Sequence, residues 1–293
     1  MMDALLHALQ WAVDKGWLAQ SFGYAFMLNA LVAACVLGPL LGGLGTLVIA
    51  KRLAFFSEAV GHAAITGIAI GILLGESPES PMIGLFSFCL IFALLLHYVR
   101  NRTQVPYDTL VGVFLSGALA LGAALLMYVA RKINIHLLEN VLFGSILTVT
   151  RQDITLLVAI CALILVVLLL TYNRLLLSCL SPDIAKVRGL SVHGYDYLFV
   201  IMITLVTIVA VKVIGAVLVG ALLLIPGATA RLLTRHNASF VLMSALLATT
   251  ACLGGTILPL IYQWPIPSGA AIILLSSLFF MMATIWRVAR PNG

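Results

Sequence analysis

Apolar residues run almost continuously along this chain, and the polar ones fall in short gaps between the runs. A helix needs about 20 apolar residues to cross a bilayer, and unpaired backbone groups in lipid exclude every other open conformation. Nine stretches meet that length: 22–50, 53–75, 82–99, 109–129, 153–172, 197–213, 215–231, 238–262 and 268–286. The runs do not alternate between polar and apolar, which excludes a transmembrane barrel. The pattern predicts an all-α polytopic membrane protein with about nine transmembrane helices. Residues 21–290 then form a single transmembrane domain.

Three segments depart from the spanning pattern. In residues 1–20, Leu5, Leu6, Leu9, Val13 and Trp17 recur near helical spacing between polar residues, predicting an amphipathic helix on the membrane surface. Asp3 and Asp14, with no basic start and no small-residue cleavage site, do not fit a signal peptide. Between two spans, Arg131 to Thr150 is partly apolar, and Phe143-Gly144-Ser145 suggests a re-entrant half-helix covered by protein or lining a cavity. The largest cytoplasmic loop is expected at 173–196. Within it, Pro182 at a first helical turn and Gly189 just past the end predict a short capped helix, a natural contact for a soluble partner.

Composition agrees with the pattern and narrows the class. Of 293 residues, 63% are hydrophobic and 9% charged, with a mean hydropathy of +1.18. One water-soluble core cannot bury that excess, so disordered, fibrous, disulfide-scaffold and most soluble-enzyme classes are excluded. The five cysteines are scattered and form no CxxC pair, which argues against structural zinc, a redox pair or a thiolate path for Cu(I).

The net charge of +6 is not gathered into a nucleic-acid patch. Eleven basic residues fall in one set of loops (Lys51, Arg52, Arg100, Arg102, Arg174, Lys186, Arg188, Arg231, Arg235, Arg287 and Arg290). Five fall in the other set: Lys15, Arg131, Lys132, Arg151 and Lys212. That asymmetry places the first set in the cytoplasm, the N-terminus outside and the C-terminus inside.

One strongly polar pair lies inside a span. Glu58 and His62 are four apart in the second helix, and Thr66 continues their stripe. His62 falls roughly 14 Å from the cytoplasmic end of a helix starting near residue 53. At that depth an ionisable group is costly and marks a transport path or a proton relay. A carboxylate and an imidazole at this spacing suit Zn, Fe or Mn together; the bland alternative is a structural hydrogen bond between helices.

Other features weigh less. Ala59, Ala63, Gly67, Gly71 and Gly75 make a small-residue ridge on the same helix, with Gly38 and Gly42 as its expected complement on the first. Pro226-Gly227 predicts a kink or hinge near the end of the seventh span. Asp108 reads as the N-cap of the fourth helix, and His136 with Glu139 as a solvated pair. The sequence lacks GxxxxGK[ST], HExxH and GxSxG, leaving no P-loop, zinc-protease or serine-hydrolase signature.

Residues 25–287 resemble the membrane permeases of ABC importers for manganese, zinc or iron. Phe55 to Gly75 is similar to the family's second-helix signature, with an acid four residues before a histidine and a small-residue run after it. Ser181 to Val192 resembles its cytoplasmic coupling segment, and Val219 to Thr234 its apolar run ending in Pro-small-Ala-Thr-Ala-Arg. Leu142 to Leu147 adds a fourth stretch. The sequence departs in carrying Glu58 where aspartate is common and Gly61 where serine is common.

The resemblance implies a permease of the prokaryotic cytoplasmic (inner) membrane that pairs with a second permease protomer, identical or paralogous. It implies ABC ATPase subunits docked inside, around Pro182, Asp183, Ala185 and Gly189, and an extracytoplasmic metal-binding protein outside. Glu58 and His62 would contact the transported Mn, Zn or Fe, with the pairs of two protomers converging near the axis. ATP hydrolysis would lie on the separate chain, so this one would be no enzyme and hold no cofactor. A stand-alone proton-coupled secondary transporter with Glu58/His62 as its relay is the competing class. An intramembrane enzyme has no nucleophile or metal motif behind it.

Overall fold

The computed structural model describes residues 25–77, 81–103, 105–129, 151–262 and 266–289. Every regular element among them is helical: α1 (Ala25–Ala50), α2 (Phe56–Leu73), α3 (Met82–Arg102), α4 (Tyr107–Val129), α5 (Arg151–Leu180), α6 (Pro182–Val187), α7 (Val192–Ile214), α8 (Ala216–Leu233), α9 (Asn237–Ile261) and α10 (Ser268–Ala289). All but the short α6 are long and apolar enough to cross a membrane, nine spans among the described residues. Each matches one of the nine apolar stretches. The surface helix expected at 1–20 and the re-entrant segment at 131–150, with His136 and Glu139, lie outside the described residues.

The expected loop at 173–196 is largely helix. α5 continues to Leu180 and α7 starts at Val192, leaving 181–191 between them. At 1.5 Å per residue a 30-residue helix is about 45 Å long, against a hydrocarbon core of about 30 Å. Only Asn173-Arg174 interrupts the apolar run, and Asn173 to Leu180 contains no helix breaker before Pro182. Asp108 also differs from expectation. α4 already begins at Tyr107, so this carboxylate sits in the first turn, where it favours the helix dipole without being the cap.

Helices α1, α2 and α7 form the centre. Of their spans 67%, 78% and 72% is buried, against 22% for α4 and α10, whose apolar side chains face outward as lipid demands. α2 packs between α3, α4 and α8, α1 packs on α8 and α9, and α7 lies between α3 and α5. Small residues set these distances, as the ridge on α2 predicted, but with a different partner. Gly67 and Gly71 meet Gly84 and Leu85 of α3, whereas Gly38 and Gly42 of α1 meet Thr249 and Ser244–Ala245 of α9. The Ser244 hydroxyl donates to the Gly42 carbonyl at 2.6 Å, fixing the α1–α9 register.

Ion pairs hold α7 at both ends. Near its start Asp196 meets Lys51 at 2.5 Å, and near its finish Lys212 meets Asp153 at 2.6 Å. At the loop before α3, the Glu76 carboxylate accepts the Ile83 N–H at 2.8 Å and the Gly84 N–H at 2.7 Å, satisfying two donors that the first turn leaves open. Replacing Glu76 with Ala should therefore cost about 1–2 kcal/mol. Thermal melting of the purified protein in detergent checks this: an unchanged midpoint would show that the cap contributes nothing.

Candidate functional site

Glu58 and His62 stand one turn apart on α2, the most buried of the spans. Gly61 between them lets α8 come close, since a Cβ there would sit 3.2 Å from that of Ala216. One turn down, a Cβ on Gly220 would lie 3.7 Å from the Glu58 Cβ. The two helices run antiparallel here, and glycine on each side opens a cleft of about 200 Å³ between them. Glu58 lines it together with Phe55, Gly220 and Leu224.

Within this apolar setting the two side chains differ. The Glu58 residue is exposed on the open face of the chain, while His62 is half-buried and its Nδ1 is fully covered. No described residue hydrogen-bonds that Nδ1. A buried ring nitrogen without a partner costs free energy unless something else fills its coordination. A cation shared with the carboxylate one turn away would do so, with the imidazole neutral and the carboxylate ionised. The donor set of one oxygen and one nitrogen ligand fits a divalent transition metal. No group of three or more His, Cys, Asp or Glu gathers among the described residues.

Thr66 leaves the stripe. Its hydroxyl donates to the Ala118 carbonyl at 2.7 Å and is covered by Gly122 of α4, so it ties helices together.

The 181–191 segment is built as its sequence suggests. Pro182 sits in the first turn of α6, and Asp183 beside it projects into solvent with 97% of its side chain exposed. Ala185 is fully buried against the bundle. Gly189 takes φ +74°, and the N–H groups of Gly189 and Leu190 donate to the carbonyls of Lys186 and Ala185, which closes the helix end. Ile184 and Val187 remain exposed, at 52% and 90%. An exposed apolar pair thus stands beside the Asp183 carboxylate, which meets the Lys186 ammonium at 3.8 Å.

Pro226 and Gly227 are buried inside α8, which runs unbroken from Ala216 to Leu233. Gly227 lies against Gly45 and Ile49 of α1, so its first role is close packing. The long-range pairs Lys51–Asp196 and Lys212–Asp153 gave no sequence signal, being separated by 145 and 59 positions.

Comparison with known proteins bears on the chain as a whole. The chain is 33% identical over 264 residues to the manganese transport system membrane protein MntC of Halalkalibacterium halodurans, covering 90% of this chain and 88% of that one. It is 27% identical to the high-affinity zinc uptake system membrane protein ZnuB of Haemophilus influenzae, over 90% of this chain and 98% of that one. Among solved structures it is similar to PsaBC from Streptococcus pneumoniae in complex with Fab, with a TM-score of 0.77, 29% identity, and coverage of 89% and 91%. The family model for the ABC 3 transport family matches residues 23–287, nearly the whole length. The chain belongs to the ABC 3 transport family.

Proposed function

We infer that this chain is the membrane-spanning permease subunit of an ATP-driven importer for divalent transition-metal ions, with manganese and zinc favoured over iron. The observation that carries this is the Glu58/His62 pair, whose buried Nδ1 has no described partner and whose carboxylate opens onto the α2–α8 cleft. Family membership and the manganese and zinc systems among its relatives support the same cargo. Two ligands per chain leave a metal under-coordinated. The pairs of two protomers, meeting near a common axis, would supply four.

The chain performs no bond chemistry in this scheme. A binding protein delivers the ion outside, and ATPase subunits grip α6 inside through Asp183, Ile184 and Val187. Closure of the ATPases moves α5 and α7, between which α6 is suspended, and so switches access to the pair. Pro226 has no N–H to give the preceding turn, which leaves α8 its softest point for following that motion. The basic loops face the cytoplasm and the membrane is the cytoplasmic one.

Cellular Mn, Zn and Fe, measured by mass spectrometry after expression with the cognate ATPase and binding protein, test this. A rise in Mn or Zn is expected, abolished when the ATPase is omitted. Gly189→Val should remove most of that rise at equal membrane abundance, because a β-branched residue is strained at φ +74° and deforms α6. A stand-alone secondary transporter would accumulate metal without the ATPase and tolerate that change.

A further inference from the structure

A second polar cleft, of about 240 Å³, opens at the end of the bundle that carries the basic loops. It lies between the ends of α1, α3, α5 and α7, and its lining is separate from that of the Glu58 cleft. Lys51, Arg52, Arg100 and Asn101 line it with Asp196 and His97. Three cations face one carboxylate, and that carboxylate is already engaged by Lys51 at 2.5 Å. Positive charge is therefore left over in a concave, half-enclosed place.

Two independent features show that the cleft is built. His97 is 3% exposed, and its Nε2 is buried without a hydrogen-bond partner among the described residues. The ring is held edge-on against Tyr197, with centroids 4.6 Å apart, so the orphaned nitrogen is fixed in place. Arg52 is the one described non-glycine residue with a positive φ, at +55°. It occupies the left-handed cap position after α1, where the N–H groups of Arg52 and Leu53 donate to the carbonyls of Ile49 and Val48. Glycine takes that position without strain, and an arginine there bears the strain of a left-handed L-residue. Such strain collects where a side chain has a task. Arg100 in turn is stacked on Tyr107, its guanidinium carbon 4.5 Å from the ring centre.

We propose that this cleft is an anion site that takes a phosphate group, through Arg52, Arg100 and Asn101 with the His97 Nε2–H beneath them. Donors from α3 and from the turn after α1 converge on one concavity, which suits a tetrahedral oxyanion with acceptors on several sides better than a planar carboxylate. Guanidinium groups are the donors best matched to it. The phosphate can come from the headgroup of an anionic phospholipid in the adjoining leaflet or from a free phosphate; both present the same oxygens. Occupied, the site would tie the turn after α1 to the end of α3.

The test is thermal melting of the purified chain in detergent, in phosphate-free buffer at constant ionic strength. Inorganic phosphate is titrated in one arm, and phosphatidylglycerol against phosphatidylcholine in the other. A saturable rise in melting temperature is expected in the wild type. Arg52→Gly and Arg100→Gln should each weaken the apparent affinity about tenfold, the loss of one charge-assisted contact. Arg52→Gly also relieves the backbone strain, so a lost response in that variant cannot be put down to misfolding. A response to inorganic phosphate identifies a free phosphate as sufficient; a response to phosphatidylglycerol alone identifies the lipid headgroup. No shift with either, or variants that respond as the wild type does, overturns the proposal and leaves the cleft as a contact for an acidic protein surface.

Discussion

Replacing Glu58 and His62 together with alanine is expected to lower metal accumulation about 100-fold or more while leaving the fold intact. Changing residues that merely orient a metal ligand already costs about 10–100-fold, and here both ligands of the chain would go. The stability side of the prediction is what separates this site from a structural pair. Alanine is the best helix former, the Glu58 residue is exposed, and removing His62 discards a buried Nδ1 that has no hydrogen-bond partner among the described residues. The melting temperature should therefore hold or rise slightly. A helix-tying hydrogen bond would behave in the opposite way, costing stability and sparing transport until the fold failed. Glu58→Gln sharpens the test, because it keeps the shape and removes the charge that a cation needs. Uptake is read as cellular Mn and Zn by mass spectrometry at matched membrane abundance. Wild-type accumulation in the double variant would end the assignment. A proton ionophore adds a second discrimination, since ATP-driven uptake through this pair should survive collapse of the proton gradient and a relay would not.

What the sequence revealed of this protein follows from what lipid forbids. Each span is announced by its own residues, because every backbone group in hydrocarbon must be satisfied within the helix. The Glu58/His62 pair stood out as a candidate because ionisable groups are rare in apolar runs and four-residue spacing puts them on one face, although Glu58 lies in the first turn of α2. Legibility ended at the membrane surface. α5 extends to Leu180 because the polar break at Asn173-Arg174 contains no residue that ends a helix. It ended also at pairing. A small-residue ridge declares that some helix comes close but not which one, so Gly38 and Gly42 of α1 were expected to pack against α2 and pack against α9. Charges at span ends carried a topology signal that masked a second role, for Lys51 and Lys212 each seek a carboxylate far along the chain. The strained Arg52 has no sequence signature at all, since arginine after a helix is ordinary until its φ is known.

The largest effect on stability is expected from a single methyl group at Gly45. A Cβ there would lie 2.1 Å from the Leu223 carbonyl oxygen of α8, while ordinary contact begins at 3.4 Å. Relief requires a displacement of more than 1 Å, and both sides of the contact are backbone, so no rotamer change supplies it. The whole α1–α8 crossing has to open. Overpacking of this kind costs about 1–3 kcal/mol and at times more, which exceeds the gain of about 1 kcal/mol from replacing glycine within a helix. Two residues earlier, Gly43 offers a control in the same helix. Nothing lies within 4 Å of a Cβ built on it, so Gly43→Ala meets no obstacle and should stabilise by about 0.5–1 kcal/mol. The two substitutions are chemically identical and opposite in expected sign. Melting temperatures of both variants in one detergent decide the matter, and Gly45→Ala melting at or above the wild type would sink the packing argument. Transport should follow the same division. α8 carries Gly220, which walls the cleft at Glu58, so prying α8 from α1 displaces that wall while Gly43→Ala leaves it alone. Metal uptake falling in Gly45→Ala and persisting in Gly43→Ala would tie this close α1–α8 contact to the geometry of the metal path.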